Sequence, residues 1–207
     1  MSATRLLVLG AVRIFQPVHG YFVRRELLSW HAEHWAHLNP GSVYNALRSL
    51  TREGYLEEAG TETEGGRPAR TTYRLTSDGE AEFLALLRAA LWNIEPFEPA
   101  MLLAAWSFSW LLRRAEVTEA LEHRLEQIAA AGRASAYAIE DLARDPEKPA
   151  HVAEHLRLVQ ARLEGEAGWV RGTLERLRSG DYWFDGEPGP PRRTRSDGVG
   201  SARSGTA

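Results

Sequence analysis

Residues 39–57 read N-P-G-S-V-Y-N-A-L-R-S-L-T-R-E-G-Y-L-E and contain signals for both ends of a short helix. Asn39 is a favourable N-cap, and Pro40 suits the first helical position, where its missing N–H costs nothing. Gly54 is typical of a helix end, and Tyr55 opens a run that favours a strand. The stretch therefore predicts a short helix followed directly by a strand.

The predicted helix has two unlike sides. Its apolar side contains Val43, Ala46, Leu47 and Leu50. Its polar side contains Ser42, Asn45, Arg48, Ser49 and Arg52. A helix with such a polar side suits a DNA major groove, because hydroxyls reach phosphates while amide and guanidinium groups reach base edges. The alternative for this helix alone is an ordinary amphipathic surface helix.

The order of the neighbouring elements favours DNA binding. One helix begins near Thr4, and a second follows His19-Gly20-Tyr21. After the third helix come a strand, a basic turn rich in Gly and Pro at residues 65–70, a second strand and a helix capped by Thr76. Three helices followed by a strand, a basic turn and a strand are typical of a winged helix-turn-helix.

The residues from Val8 to Glu82 closely resemble the DNA-binding domain of the PadR-like transcriptional regulators. The resemblance rests on four motifs in the right order: L-V-L-G-A-V (7–12), P-V-H-G-Y-F (17–22), L-N-P-G-S-V-Y-N-A-L-R-S-L-T-R-E-G-Y-L (38–56) and G-G-R-P-A-R-T-T-Y-R-L-T-S-D-G (65–79). It implies a homodimeric regulator, expected to be a repressor, that binds double-stranded DNA at a near-palindromic operator.

The resemblance also implies which residues contact DNA, at the positions that match its motifs. These are Tyr21, Pro40, Gly41, Ser42, Tyr44, Asn45, Arg48, Ser49, Arg52, Arg67 and Arg70. The exposed N–H groups at the start of the third helix are natural phosphate donors. Arg67 and Arg70 flank the wing tip, where a narrow minor groove attracts arginine. Tyr21 and Tyr44 have a core position as their alternative, and for Arg74 an exposed strand side chain is favoured.

The composition of the chain limits which functions can be expected of it. The chain has 207 residues, no cysteine, 43% hydrophobic and 26% charged residues, and a formal net charge of −3. No stretch approaches the length of an uncharged membrane span, and no signal peptide is evident, so a cytoplasmic protein is expected. Residues 1–90 contain ten arginines and ten acidic residues. Phosphate binding must therefore depend on where the arginines lie, since the domain is not basic.

The second half predicts a helical region. Residues 1–94 are assigned to the winged domain, 95–184 to a helical dimerisation and possible effector domain, and 185–207 to a disordered tail. Two prolines at residues 96 and 99 mark the boundary. Two long helices, Glu116 to Arg144 and Ala150 to Ser179, should form an antiparallel hairpin that pairs with a second copy. The expected fold class is mainly α with a small β wing.

Four tryptophans in or beside the helical half are candidate effector-binding residues: Trp92, Trp106, Trp110 and Trp169. Flat aromatic side chains can sandwich a small aromatic effector. The alternative is that they fill the core between helices.

Other chemistry finds little support in the sequence. His31, His34 and His37 recur at three-residue spacing, and His151 with His155 at four, but no carboxylate is obviously placed as a third ligand, so no metal site is expected. No nucleophile motif, phosphate-binding loop or dinucleotide motif is present, so neither an enzyme nor a cofactor is expected. Two other functions remain open: a protein-interaction module, and an aromatic-ligand-binding protein that uses the winged domain as a scaffold.

Overall fold

The computed structural model describes residues 2–62, 70–95 and 98–188. The described residues are mostly helical (74%) and include one small three-stranded antiparallel sheet. Within the described residues, no helix is both long enough and apolar enough to cross a membrane. The elements, in chain order, are α1 (Ala3–Phe15), β1 (Val18–His19), α2 (Gly20–Ser29), α3 (Ala32–Trp35), α4 (Pro40–Arg52), β2 (Leu56–Glu62), β3 (Arg70–Leu75), α5 (Ser77–Trp92), α6 (Pro99–Phe108), α7 (Arg114–Arg144) and α8 (Glu154–Ser179).

Helix α1 is the centre of the N-terminal core. Every residue from Leu6 to Val12 is buried, and the helix packs against α2, α4, α5 and α6. A helix that is apolar on all sides needs neighbours all round it, and α1 has them. The predicted order of helices, two wing strands and a further helix is confirmed, with the short strand β1 and the four-residue helix α3 as additions.

The sheet has the order β1-β3-β2. In the wing hairpin, Leu56 pairs with Leu75, and a register shift lies between Glu58 and Gly60. Strand β1 pairs with β3 through Val18 opposite Tyr73. The sequence analysis did not predict β1, because a two-residue strand has no pattern of its own and is defined by its distant partner.

Helices α7 and α8 form the predicted antiparallel hairpin. Two ion pairs join α7 to α8 through residues far apart in sequence: Arg124 pairs with Glu166, and Arg178 pairs with Glu122. The half of the hairpin nearest α5 is well buried, with Leu121 and Leu174 almost inaccessible. The outer half is far more exposed, and Ile139 and Leu142 are only half-buried in one chain.

The chain folds back onto the helices after α8. Phe184 is 1% exposed, and the Asp185 N–H donates to the Trp110 carbonyl at 2.9 Å. Arg114 donates from Nε to Glu187 Oε1 at 2.6 Å. The tail predicted for residues 185–207 begins inside this described segment, where a backbone hydrogen bond and the ion pair between Arg114 and Glu187 hold residues 185–187. Residues 189–207, the rest of that predicted tail, lie outside the described residues.

Gly10 allows α1 and α6 to approach closely. A Cβ atom at this position would lie 2.4 Å from Phe108 Cζ, and the Phe108 ring is itself held edge-on by Trp30 and Phe83. Overlap of this kind costs about 1–3 kcal/mol, of which the better helix propensity of alanine recovers up to about 1 kcal/mol.

We therefore expect Gly10→Ala to lower the free energy of unfolding by about 1–2 kcal/mol, measured by urea denaturation. Gly132→Ala is the matched control, because a Cβ on that helical glycine meets no atom within 4 Å. The control should raise stability by about 0.5–1 kcal/mol. If Gly10→Ala and Gly132→Ala changed the free energy of unfolding equally, the packing around Gly10 would be looser than the structure indicates.

Candidate nucleic-acid interface

The start of α4 is held by a capping box. Asn39 Oδ1 accepts from the Ser42 N–H at 2.8 Å, and Ser42 Oγ accepts from the Asn39 N–H at 3.0 Å. Pro40 occupies the first turn, and Gly54 follows the helix with φ +83°. These local bonds fix the helix where the sequence predicted it, from Pro40 to Arg52.

The polar side of α4 is free of the hydrophobic core. Val43, Leu47 and Leu50 are buried against α1 and α2. Asn45, Arg48 and Arg52 are exposed, and the two serines of this side are half-exposed. We call Ser42, Asn45, Arg48, Ser49 and Arg52 the α4 polar side. A helix presented in this way can enter a groove without unfolding any part of the core.

Side chains of the α4 polar side bond to one another at helical spacing. Arg48 Nη2 donates to Asn45 Oδ1 at 2.5 Å, and Arg52 Nη2 donates to Ser49 Oγ at 3.2 Å. These are exposed bonds, so each is weak in water and exchangeable for a bond to a base or phosphate. The bonds also hold the two guanidinium groups along one line of the helix.

An acidic residue at the end of α4 is neutralised locally. Glu53 accepts from Ser49 Oγ at 2.6 Å and from Arg5 Nη1 at 2.7 Å. These hydrogen bonds, first from Ser49 and then from Arg5, lower the pKa of the Glu53 carboxyl group below its ordinary value. Arg5 also pairs with Glu82 at 3.0 Å. The Glu53 charge thus faces a positive partner on α1.

Two grooves flank the α4 polar side. One, of about 660 Å³, lies between this side and the start of α1, where Ser2 and Thr4 line it. The sequence analysis missed these two hydroxyl residues, because they resemble simple capping residues. The other groove, of about 690 Å³, contains Tyr21, Arg25 and Tyr44. Tyr21 is 62% exposed and Tyr44 40%, so neither is a core residue.

Gly20 lies under Tyr44, where there is little room for a side chain. It is a buried helical residue at the start of α2, and a Cβ there would lie 3.0 Å from Leu47 Cδ1 and 3.2 Å from Tyr44 Cε1. The lack of a side chain at Gly20 lets α2 pack closely beneath α4.

The wing is described only in part. Arg67 lies outside the described residues, and Arg70 is described by its backbone alone, opposite Glu62. Arg74 is exposed and lies 3.9 Å from Glu57, which agrees with a strand side chain facing solvent. The minor-groove contacts of Arg67 and Arg70 therefore remain predictions.

Comparison with known proteins fits this geometry. Residues 8–85 match the family model described as the transcriptional regulator PadR-like family. These residues form a PadR-like domain. The matched family is one of transcriptional regulators, and the match spans α1 to the first half of α5. No curated protein sequence matches the chain.

Solved structures similar to the chain include PadR of Bacillus subtilis in complex with operator DNA, at 21% identity over 84% of this chain and 98% of that chain, with a TM-score of 0.37. A PadR-like transcriptional regulator from Bacillus cereus is 17% identical over 86% and 99%, with a TM-score of 0.35. PadR of Bacillus subtilis in complex with p-coumaric acid is 19% identical over 85% and 99%, with a TM-score of 0.34.

A buried arginine ties the PadR-like domain to the helical hairpin. Arg124 of α7 is 2% exposed and donates from Nε to Glu166 Oε1 of α8 at 2.5 Å. Its Nη1 donates to the carbonyls of Ala90, Leu91 and Asn93 at 3.2, 3.1 and 2.6 Å, and so satisfies the free carbonyl groups at the end of α5. Sequence reasoning missed this residue, because an arginine in an amphipathic helix gives no signal of burial.

The four candidate effector tryptophans fall into three separate contacts. Trp106 and Trp169 pack edge to face with ring centroids 5.3 Å apart. Trp92 lies against His123 at 4.9 Å, and Trp110 lies against Trp183 at 5.9 Å. The structure therefore does not bring all four to one pocket within a single chain.

Of these four residues, Trp169 lines a mainly apolar groove of about 360 Å³ between α6 and α8. Pro99, Leu102 and Leu103 form its apolar wall, and Glu166 is also at its edge. Because Glu166 is the partner of Arg124, this groove lies directly beside the link to the PadR-like domain.

One group of metal-ligating side chains occurs within the described part of the PadR-like domain. Ligand atoms of His31, Glu33 and His34 all lie within 4.8 Å of one another. The sequence analysis expected no third ligand beside these histidines, whereas the structure places the Glu33 carboxylate next to both.

Proposed function

We propose that this chain is a transcriptional repressor that binds a near-palindromic operator as a homodimer and is released by a small aromatic effector. One observation carries the proposal: the α4 polar side stands free of the core on a helix whose opposite side is buried. The regulator family matched by residues 8–85 supports it.

The chemistry of the α4 polar side suits direct readout. Arginine donates two parallel bonds to guanine O6 and N7, and asparagine pairs with adenine N6 and N7. Arg48 and Arg52 therefore take the guanine-reading role, and Asn45 the adenine-reading role. The Gly41 N–H in the first turn of α4 suits a phosphate, since a helix N-terminus favours negative charge.

Hydroxyl groups on both flanks extend this surface toward the DNA backbone. Tyr21 and Tyr44 lie on one side of α4, while Ser2 and Thr4 lie on the other. Neutral donors of this type position a protein on phosphates without raising its net charge. They help to explain how a domain with balanced charge can bind DNA.

The outer half of the α7–α8 hairpin supplies the proposed dimer contact. Tyr137 and Leu158 are large apolar side chains that are exposed in a single chain. Ile139 and Leu142, which lie between them in the sequence, are half-buried. Burial of such a patch against a second copy stabilises a dimer. A two-fold axis there presents two α4 helices to successive turns of one groove.

The groove at Trp169 is the proposed effector site. A planar ligand against Trp169 would contact Leu102 and Leu103 of α6 and reach Glu166. Any ligand that displaces Glu166 from Arg124 alters the anchor at the end of α5. Such a ligand changes the distance between the two α4 helices of the dimer only if it binds the protein more tightly at one distance than at the other.

Binding of planar aromatic acids and amines, followed by tryptophan fluorescence, tests this site. We expect ligands that quench fluorescence to weaken operator binding of the full chain, and expect Trp169→Ala to abolish both effects. Trp92→Phe is the control, because Trp92 packs on His123 away from the groove. Quenching with unchanged operator affinity would favour the aromatic-ligand-binding protein instead.

Selection of bound duplexes from a random-sequence pool tests the operator. Enriched duplexes should contain two inverted half-sites, and their affinity should fall steeply as salt rises, because phosphate contacts release counterions. Failure to enrich any duplex, or binding that ignores salt, would favour the protein-interaction module.

A further inference from the structure

We propose that His31, Glu33 and His34 bind a divalent transition-metal ion of the zinc class. His31 Nδ1 lies 3.9 Å from Glu33 Oε1, and His34 Nε2 lies 3.7 Å from the same oxygen. The two imidazole rings stack at an interplanar angle of 16°, with centroids 6.0 Å apart. One carboxylate oxygen thus faces a ring nitrogen of each histidine.

The backbone brings these three residues to one place. His31 has φ 56°, in the left-handed region, and immediately precedes the four-residue helix α3. The turn between α2 and α3 places the His31 and His34 rings side by side. Sequence spacing alone did not show this, because a non-glycine residue with positive φ is uncommon.

Glu33 carries an independent indication of a missing partner. Its Oε2 atom is buried and has no hydrogen-bond partner among the described residues. A buried carboxylate oxygen without a partner is unfavourable, and the Glu33 side chain, 34% exposed overall, is still open to a cation. A cation on the other oxygen, Oε1, would offset part of that cost by direct coordination.

The ligand distances are close to those of a metal site. Zn–N and Zn–O bonds of about 2.0–2.1 Å in a tetrahedron place ligand atoms about 3.4 Å apart. The observed separations of 3.7 and 3.9 Å therefore need small rotations. Both histidine side chains are free to make them, being 77% and 76% exposed.

The donor set indicates the class of metal. Two imidazoles and one carboxylate suit Zn²⁺, Ni²⁺, Co²⁺ or Cu²⁺, whereas Mg²⁺ and Ca²⁺ prefer oxygen ligands throughout. Three protein ligands leave a fourth position for water. The site lies just before α4, since the Leu38 N–H bonds the Ala32 carbonyl at 3.4 Å and Asn39 caps α4. A bound ion would stiffen this connection.

Metal titration of the full chain, prepared without a polyhistidine tag, tests the site. Co²⁺ should produce a visible absorption band and Zn²⁺ should displace it, at about one ion per chain. We expect His31→Ala, Glu33→Gln and His34→Ala each to weaken Zn²⁺ binding at least about tenfold in calorimetry. Zn²⁺ should also raise the thermal midpoint of the natural chain but not of these variants.

His151→Ala and His155→Ala are the matched controls, because they remove exposed histidines at four-residue spacing that belong to no such group among the described residues. Both control variants should bind Zn²⁺ with the affinity of the natural chain. The proposal is overturned if the variants at 31 and 34 bind Zn²⁺ as the natural chain does, or if the controls lose affinity equally. Because the four histidine side chains are exposed, their replacement should not impair folding, and circular dichroism checks folding for every variant, including the half-buried Glu33.

Discussion

Replacement of Arg124 by alanine is expected to lower the free energy of unfolding by about 3–5 kcal/mol. The side chain is 2% exposed and makes four hydrogen bonds, one of them to the Glu166 carboxylate. Its removal leaves that carboxylate unpaired beside the core and strips three backbone carbonyls at the end of α5 of their donor. The loss should be measured by urea denaturation followed by circular dichroism.

Arg178→Ala is the matched control for this prediction. Arg178 also joins α8 to α7, through Glu122 at 2.8 Å, but both side chains are exposed. Exposed pairs contribute about 0–1 kcal/mol, so the control should change little. A double variant, Arg124→Met with Glu166→Met, should recover much of the loss, because no charge is then left unpaired. Equal losses from Arg124→Ala and Arg178→Ala would contradict the buried link.

The double variant Arg48→Ala, Arg52→Ala is expected to weaken operator binding by about 2–6 kcal/mol, at about 1–3 kcal/mol for each arginine that contacts a base. Both side chains are exposed on one line of α4 and are bonded only to neighbours on the same side. Fluorescence anisotropy with a selected duplex measures the effect. The loss should be larger on that duplex than on a scrambled one, since phosphate contacts are common to both.

Arg178→Ala controls for the loss of positive charge. Arg178 is exposed, pairs with Glu122 at 2.8 Å and lies outside both α4 and the proposed dimer contact. Its removal changes net charge as each α4 substitution does, but should leave operator affinity nearly unchanged. Asn45→Ala should relax the preference at one base position of each half-site. If the α4 variants bind like the Arg178 variant, α4 does not read the operator.

The parts of the fold set by neighbouring residues were predictable from the sequence. Asn39, Pro40 and Gly54 define α4 through capping and turn chemistry that needs no distant partner. The hairpin of α7 and α8 was predictable for a similar reason, since a repeating apolar stripe and a short connection specify it.

The parts that depend on distant contacts were not predictable. Strand β1 exists through its pairing with Tyr73 and Thr72. The burial of Arg124 depends on where α5 ends, 31 residues earlier in the chain at Asn93. The separation of the four tryptophans was likewise decided by helix packing, because each ring found a different partner.

The candidate site likewise has parts that were predictable from the sequence and parts that were not. Exposure of Asn45, Arg48 and Arg52 followed from helical period, and the structure agrees. The place of Glu33 beside His31 and His34 did not follow, because it depends on the left-handed backbone at residue 31. Periodic patterns fix which side of a helix is polar, whereas single dihedral angles decide which side chains meet in a turn.

Hydroxyl-radical footprinting of the full chain on a selected duplex tests the central proposal most directly. The account predicts two protected half-sites related by two-fold symmetry, with centres about 10–10.5 base pairs apart or a multiple of that, and loss of both when Arg48 and Arg52 are replaced. Protection of one continuous, asymmetric stretch, or a footprint unchanged in the double variant, would contradict reading of DNA by α4.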